Sequence, residues 1–83
     1  MKKPLYVVFD NVAKMYQFPI FSEPTDGVAI RTIQTAMEDP NSQFKKHAQD
    51  FTLVRLGNFD DEQGLLNQDS KDDVIELSKL IGE

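Results

Sequence analysis

The sequence predicts an α+β domain: a small antiparallel sheet in strand-strand-helix-strand order, with room for a short fourth strand, one packed helix and a C-terminal helix. Three observations predict it. Two apolar runs of high β propensity, Leu5 to Phe9 and Met15 to Phe21, lie close together around the turn formers Asp10 and Asn11. Between residues 26 and 38 the apolar residues Ala29, Ile30, Ile33, Ala36 and Met37 recur at helical spacing. A third strand-like run, Phe51 to Leu56, passes through Gly57-Asn58 and Phe59 into Asp60-Asp61-Glu62 and stops at Gly64.

Each element has its local reason. Asn11 to Lys14 serves as a hairpin loop between the first two strands. Pro19 cannot donate a ladder hydrogen bond, which places the second strand at an edge. Ser22 or Thr25 caps the helix, and its acidic first turn suits the helix dipole. Asp39-Pro40-Asn41-Ser42 ends it, and Gln43 to His47 supplies a further helical turn with Phe44 facing inward and the basic residues in solvent.

In the third strand Thr52, Val54 and Leu56 alternate with Phe51, Leu53 and Arg55. A buried arginine needs a partner, so Arg55 marks its own face as the one open to solvent, a partner chain or a ligand. Gly64 to Asn67 forms a short returning strand. Residues 1–67 then make the α+β domain, and 68–83 an acidic linker and C-terminal helix. Ser70 caps that helix with Asp73 three residues on. Val74, Leu77 and Ile81 make its apolar edge, suited to a partner's groove or to the protein's own sheet.

The chain has 83 residues, so its core is thin and a single domain accounts for all of it. It lacks cysteine and has one histidine, which removes disulfides, thiolate chemistry and most metal sites. No apolar run is long enough to span a bilayer or serve as a secretory h-region, so the reading is a soluble protein that is not exported. The net charge of −5 argues against coating nucleic acid by charge alone. That charge is uneven: residues 60–83 carry eight acidic residues against two lysines, and the rest of the chain is near neutral.

Candidate nucleic-acid contacts are Lys45, Lys46, His47 and Arg55 for phosphates and Tyr6, Tyr16, Phe18 or Phe51 for stacking on unpaired bases, with Lys2, Lys3, Lys14 and Arg31 as further cations. The competing reading puts the lysines in plain solvent and the aromatics in the core. Candidate partner contacts are Val74, Leu77 and Ile81. The acidic trio Asp60-Asp61-Glu62 lacks the spacing of a calcium loop and reads as a solvated turn. His47 has no neighbouring acid or nucleophile, and the four glycines make no phosphate loop, so neither an enzyme nor a cofactor or metal site is expected.

Leu5-Tyr6-Val7-Val8-Phe9-Asp10, Thr25 to Arg31, Asp39-Pro40-Asn41-Ser42 and above all Asp50 to Glu62 resemble, in the same order and spacing, the small nonstructural protein of gokushovirus-type microviruses. These are tailless icosahedral phages with single-stranded DNA genomes. The resemblance covers roughly Leu5 to Gly64. It implies a nonstructural phage protein of the host cytoplasm, associated with nucleic acid and acting in single-stranded DNA synthesis or packaging. The alternative is an adaptor that binds a viral or host replication or packaging protein without touching DNA. Strands apolar on both faces, with one helix to cover them, predict a homo-oligomer in either case.

Overall fold

The computed structural model describes residues 2–68 and 71–80. The first strand, β1 (Lys2–Asp10), turns back into β2 (Met15–Ser22). Helices α1 (Asp26–Met37) and α2 (Gln43–Lys46) follow, then a 3-10 turn at Ala48–Asp50 and the long strand β3 (Phe51–Asp60). Two short strands, β4 (Leu65–Asn67) and β5 (Asp72–Glu76), and a 3-10 turn at Leu77–Leu80 complete the described chain. The five strands form one antiparallel sheet in the order β2-β1-β3-β4, with β5 also on β3. The α+β class, the β1–β2 hairpin, Pro19 on an outer strand and the helix over residues 26–37 all stand as the sequence predicts.

Both tight turns are built the same way. Asp10 Oδ1 accepts from the backbone N–H groups of Val12 and Ala13, and Lys14 closes the loop in the left-handed region at φ 61°. Asp60 Oδ1 accepts from those of Glu62 and Gln63, and Gly64 closes that loop at φ 71°. The carboxylate substitutes for a strand partner at the donors the turn leaves open. Gly57 has a different reason to be glycine. At φ 154° it lies under β4, and a Cβ there would overlap the Asn67 carbonyl oxygen.

One face of the sheet holds the main core. Tyr6 and Val8 from β1 and Phe51 and Leu53 from β3 meet Ala29, Ile33 and Met37 of α1, three residues spaced by four so that they share one side of the helix. Thr25 caps α1, its hydroxyl accepting from the Val28 N–H at 3.2 Å. Phe44 turns inward and meets the Phe51 ring edge-on, centroids 5.1 Å apart. On the opposite face Val7 and Val54 are paired neighbours, also buried, outside that cluster. There Phe9 packs on Tyr16, and Lys71 reaches from the start of β5 to donate to the Tyr16 hydroxyl at 3.0 Å.

The C-terminal region differs from expectation. Residues 72–76 form a strand and Leu77–Leu80 a single 3-10 turn, where the sequence reading puts a helix. The reason is non-local. β4 pairs β3 only at Asn58–Asp60, so the edge of β3 from Thr52 to Arg55 is open until β5 pairs with it. Val74 and Ile75 are adjacent β-branched residues that suit that edge better than a short helix. The expected cap, Ser70, lies outside the described residues.

Candidate interaction surface

Two places on the molecule concentrate chemistry, and they differ in kind. The first is a charged cluster over the sheet. Tyr6, Arg55 and Asp72 are lateral neighbours on β1, β3 and β5, and Asp26, in the first turn of α1, sits above them. Arg55 Nη1 donates to both carboxylate oxygens of Asp26 at 3.0 and 2.8 Å, and its Nη2 to Asp72 Oδ2 at 2.9 Å. The Tyr6 hydroxyl donates to Asp26 Oδ1 at 2.6 Å. Asp26 also lies favourably at the positive end of the helix. Burial pushes the Tyr6 phenol up from its ordinary value, and the hydrogen bond to the Asp26 carboxylate and the charge behind it add to the shift. The hydrogen bonds to Asp72 and then Asp26 raise the Arg55 guanidinium in the same way.

The second place is β2. It ends the sheet path, so its outer edge has no strand partner among the described residues. Its eight residues, Met15 to Ser22, include no charged side chain. Phe18 is 88% exposed, Met15 63%, Ile20 48% and Tyr16 43%. Beside Phe18, between β2 and α1, opens an apolar cleft of about 230 Å³ lined by Val8, Pro19, Phe21, Ile33, Ala36 and Phe44 among others. Single exposed apolar residues are ordinary on a protein surface; a run of them on an unpaired edge, next to an apolar cleft, marks an interaction surface.

The residues expected to contact phosphates, with Tyr6, fall into two groups, Lys45 to His47 at the end of α2 and the paired neighbours Tyr6 and Arg55 in the sheet. Lys45 and Lys46 are exposed in the last turn of α2. His47 caps that turn with its backbone N–H, which donates to the Gln43 carbonyl. Arg55 does not mark an open face: it is turned towards α1 and occupied by two carboxylates. Tyr6 is fully buried and its hydroxyl is engaged, so its ring offers no face to a base.

Of the expected partner contacts, Leu77 is fully buried in the core cluster and Val74 packs against that cluster. Both side chains thus pack on the protein's own sheet, one of the two roles left open by the sequence, and Leu77 is not available to a partner's groove. Ile81 lies outside the described residues. Asp60 spends its carboxylate on the turn, and Lys3 pairs with Asp61 at 3.3 Å. Of the other rings offered for stacking, Phe51 is buried and Tyr16 and Phe18 are exposed on β2; the sequence reading took these two only as base-stacking candidates and missed the apolar edge they form with Met15 and Ile20, although Pro19 and the uncharged run from Met15 to Ser22 were the available signal.

No helix among the described residues is long and apolar enough to cross a membrane. No curated protein and no solved structure matches the chain. The family model of the phage ORF5 protein does match, over residues 3–80, a span that includes the β2 edge, the charged cluster and β5. On that match the chain belongs to the phage ORF5 protein family.

Proposed function

We propose that this phage protein is a non-enzymatic interaction protein of the host cytoplasm. Its working surface is the β2 edge with the cleft beside it, and it serves a viral or host protein of DNA replication or packaging. The observation that carries the reading is Phe18, a large apolar side chain almost wholly in solvent on an uncharged edge strand. Left uncovered, such a side chain forgoes about 1.5–3 kcal/mol of burial. Covering it is the most productive contact the surface offers. The place in single-stranded DNA synthesis or packaging draws its support from the resemblance to the gokushovirus-type nonstructural protein.

Direct DNA binding has weaker support. Of the side chains proposed for it, Tyr6 and Phe51 are buried and Arg55 is neutralised, which leaves Lys45, Lys46 and His47 exposed at the end of α2 and Tyr16 and Phe18 exposed on β2. A phage lacking its own copy, complemented in infected cells, tests the reading. Phe18→Asp should reduce infectious progeny about tenfold or more, while Lys45→Ala with Lys46→Ala leaves the yield unchanged. Full yield with Phe18→Asp overturns the interaction reading. A loss confined to the lysine variant, accompanied by lost binding to single-stranded DNA, would put the nucleic-acid reading in its place.

A further inference from the structure

We infer that the occupant of the β2 surface is a second copy of this chain, set antiparallel across a two-fold axis near Phe18 and Pro19. This rests on the reading of β2 as an interaction surface and goes on to name the partner.

Charge selects the edge. A chain with a net charge of −5 resists meeting itself most where its carboxylates are densest, and eight of its fourteen acidic residues fall in residues 60–83, the part of the chain that supplies β4 and β5. β5 carries Asp72, Asp73 and Glu76, and the turn into β4 carries Asp60, Asp61 and Glu62. β2 carries none. Two copies joined at β2 would hold their β5 strands seven strand spacings apart, about 34 Å along the sheet. That is more than three Debye lengths at physiological salt, where the length is about 8 Å. Joined at the β4 and β5 edge they would bring those carboxylates within about one Debye length of their copies. Pairing at β2 thus meets fewer like charges than pairing at the β4 and β5 edge, the carboxylates nearest to β2 being Asp10, bonded to Gln17, and Glu23.

The flanks of β2 are complementary under the two-fold operation. Lys14 precedes the strand and Glu23 follows it. An antiparallel pairing centred on Phe18 or Pro19 sets Lys14 of one copy alongside Glu23 of the other, twice. Neither is in an ion pair among the described residues, and Glu23 accepts from the Thr32 hydroxyl at 2.7 Å, which holds its carboxylate at the strand end.

Area sets the strength. With about 200 Å² for a fully exposed large side chain, the exposures of Phe18, Met15, Ile20 and Tyr16 amount to roughly 450–500 Å² of surface per copy. The exposed Pro19 and Ser22 extend the contact towards the roughly 600 Å² per partner at which specific but transient interfaces begin. The dimer is therefore a micromolar one, formed when the protein is abundant.

Sedimentation at concentrations from about 5 to 200 μM reads this directly. The wild-type chain should pass from monomer to dimer across that range, and Phe18→Asp should weaken association more than about 100-fold, because the symmetric interface loses two buried rings. The exposure of Phe18 leaves the fold of that variant intact, which circular dichroism checks. Because the chain has no cysteine, Phe18→Cys supplies a single thiol near the axis, and mild oxidation should crosslink two copies; Leu66→Cys, on β4, should not crosslink. A wild-type monomer at the highest concentration, or crosslinking through Leu66→Cys in place of Phe18→Cys, overturns the inference. If the wild type is monomeric while Phe18→Asp still abolishes phage yield, β2 binds a different protein and the broader reading survives.

Discussion

β2 and β5 border the same sheet on opposite sides and are made of opposite materials. β2 has exposed Met15, Phe18 and Ile20 and no charge; β5 has three exposed acidic residues, Asp72, Asp73 and Glu76, and its apolar residues, Val74 and Ile75, packed against the core. β5 is also fastened. Arg55 holds Asp72, and Leu77 just beyond the strand is fully buried among Tyr6, Leu53 and Met37. Nothing comparable holds the outer side of β2 among the described residues. An edge strand is a template for another chain, and carboxylates are one of the ordinary ways of blunting it. The difference teaches that β5, from the acidic C-terminal part of the chain, closes the edge of β3 from Thr52 to Arg55, while the outer edge of β2 stays open for contact.

If that contrast holds, apolar residues on the two sides should respond in opposite ways. Leu77→Ala should destabilise the fold by about 2–5 kcal/mol, through lost transfer energy and the cavity left behind, in urea unfolding followed by circular dichroism. Phe18→Asp should change the monomer's stability by less than about 0.5 kcal/mol. A large loss for Phe18→Asp would move β2 from surface to core and break the comparison.

Arg55→Met should cost about 1–2 kcal/mol. The charge-assisted bonds to Asp26 and Asp72 would set a higher figure, but all three side chains remain more than a third exposed and solvent screens them. High salt should narrow the difference between wild type and variant. Hydrogen exchange should show β5 opening first, because Asp72 loses its anchor.

Tyr6 gives a pH dependence with a definite sign. Its phenol in the folded state titrates above its unfolded value of about 10, so the folded chain keeps a proton that the unfolded chain releases. The stabilisation is complete below about pH 10 and is lost as pH rises through the folded value, at up to about 1.4 kcal/mol per pH unit. Tyr6→Phe should remove that slope. It should lower stability at neutral pH by about 0.5–1.5 kcal/mol, the worth of one hydrogen bond.

The smallest effect concerns the two hairpins. Lys14 and Gly64 hold equivalent left-handed positions, and only Gly64 does so without a Cβ. Lys14→Gly should therefore be neutral or stabilising by up to about 1 kcal/mol, the relief of left-handed strain offset by glycine's greater freedom when unfolded. Thermal melts of the two proteins read the difference.

What could be read from the sequence was local. Thr25 announces the start of α1, Ala29, Ile33 and Met37 announce its buried side, and Pro19 announces an outer strand, each within a few residues of its consequence. The failures were all decisions taken at a distance. Val74 and Ile75 fit a strand or a helix, and the open edge of β3, some twenty residues upstream, decides between them. Arg55 finds Asp26 and Asp72, 29 and 17 residues away, so its own neighbours in sequence could not reveal that it is satisfied. Tyr6 looks like a stacking platform until α1 brings Asp26 over it. The exposure of Phe18 likewise depends on where the helix stops covering the sheet.

Because β3 pairs with β1, β4 and β5 alike, nearly the whole sheet waits for one strand, and Lys2 meets Asp60 only across most of the chain's length. The hairpins at Asp10 and Asp60 can close within about 1–10 μs, but joining them requires the long loop through α1 to shut first. Chains dominated by such distant pairings fold in milliseconds to seconds. During that interval the β1–β2 hairpin has both edges unpaired and Tyr6, Val7 and Val8 uncovered. Rapid synthesis at high temperature would lengthen the list of collisions available to it, so soluble yield should depend on expression rate and temperature more steeply than the stability of the finished fold would suggest.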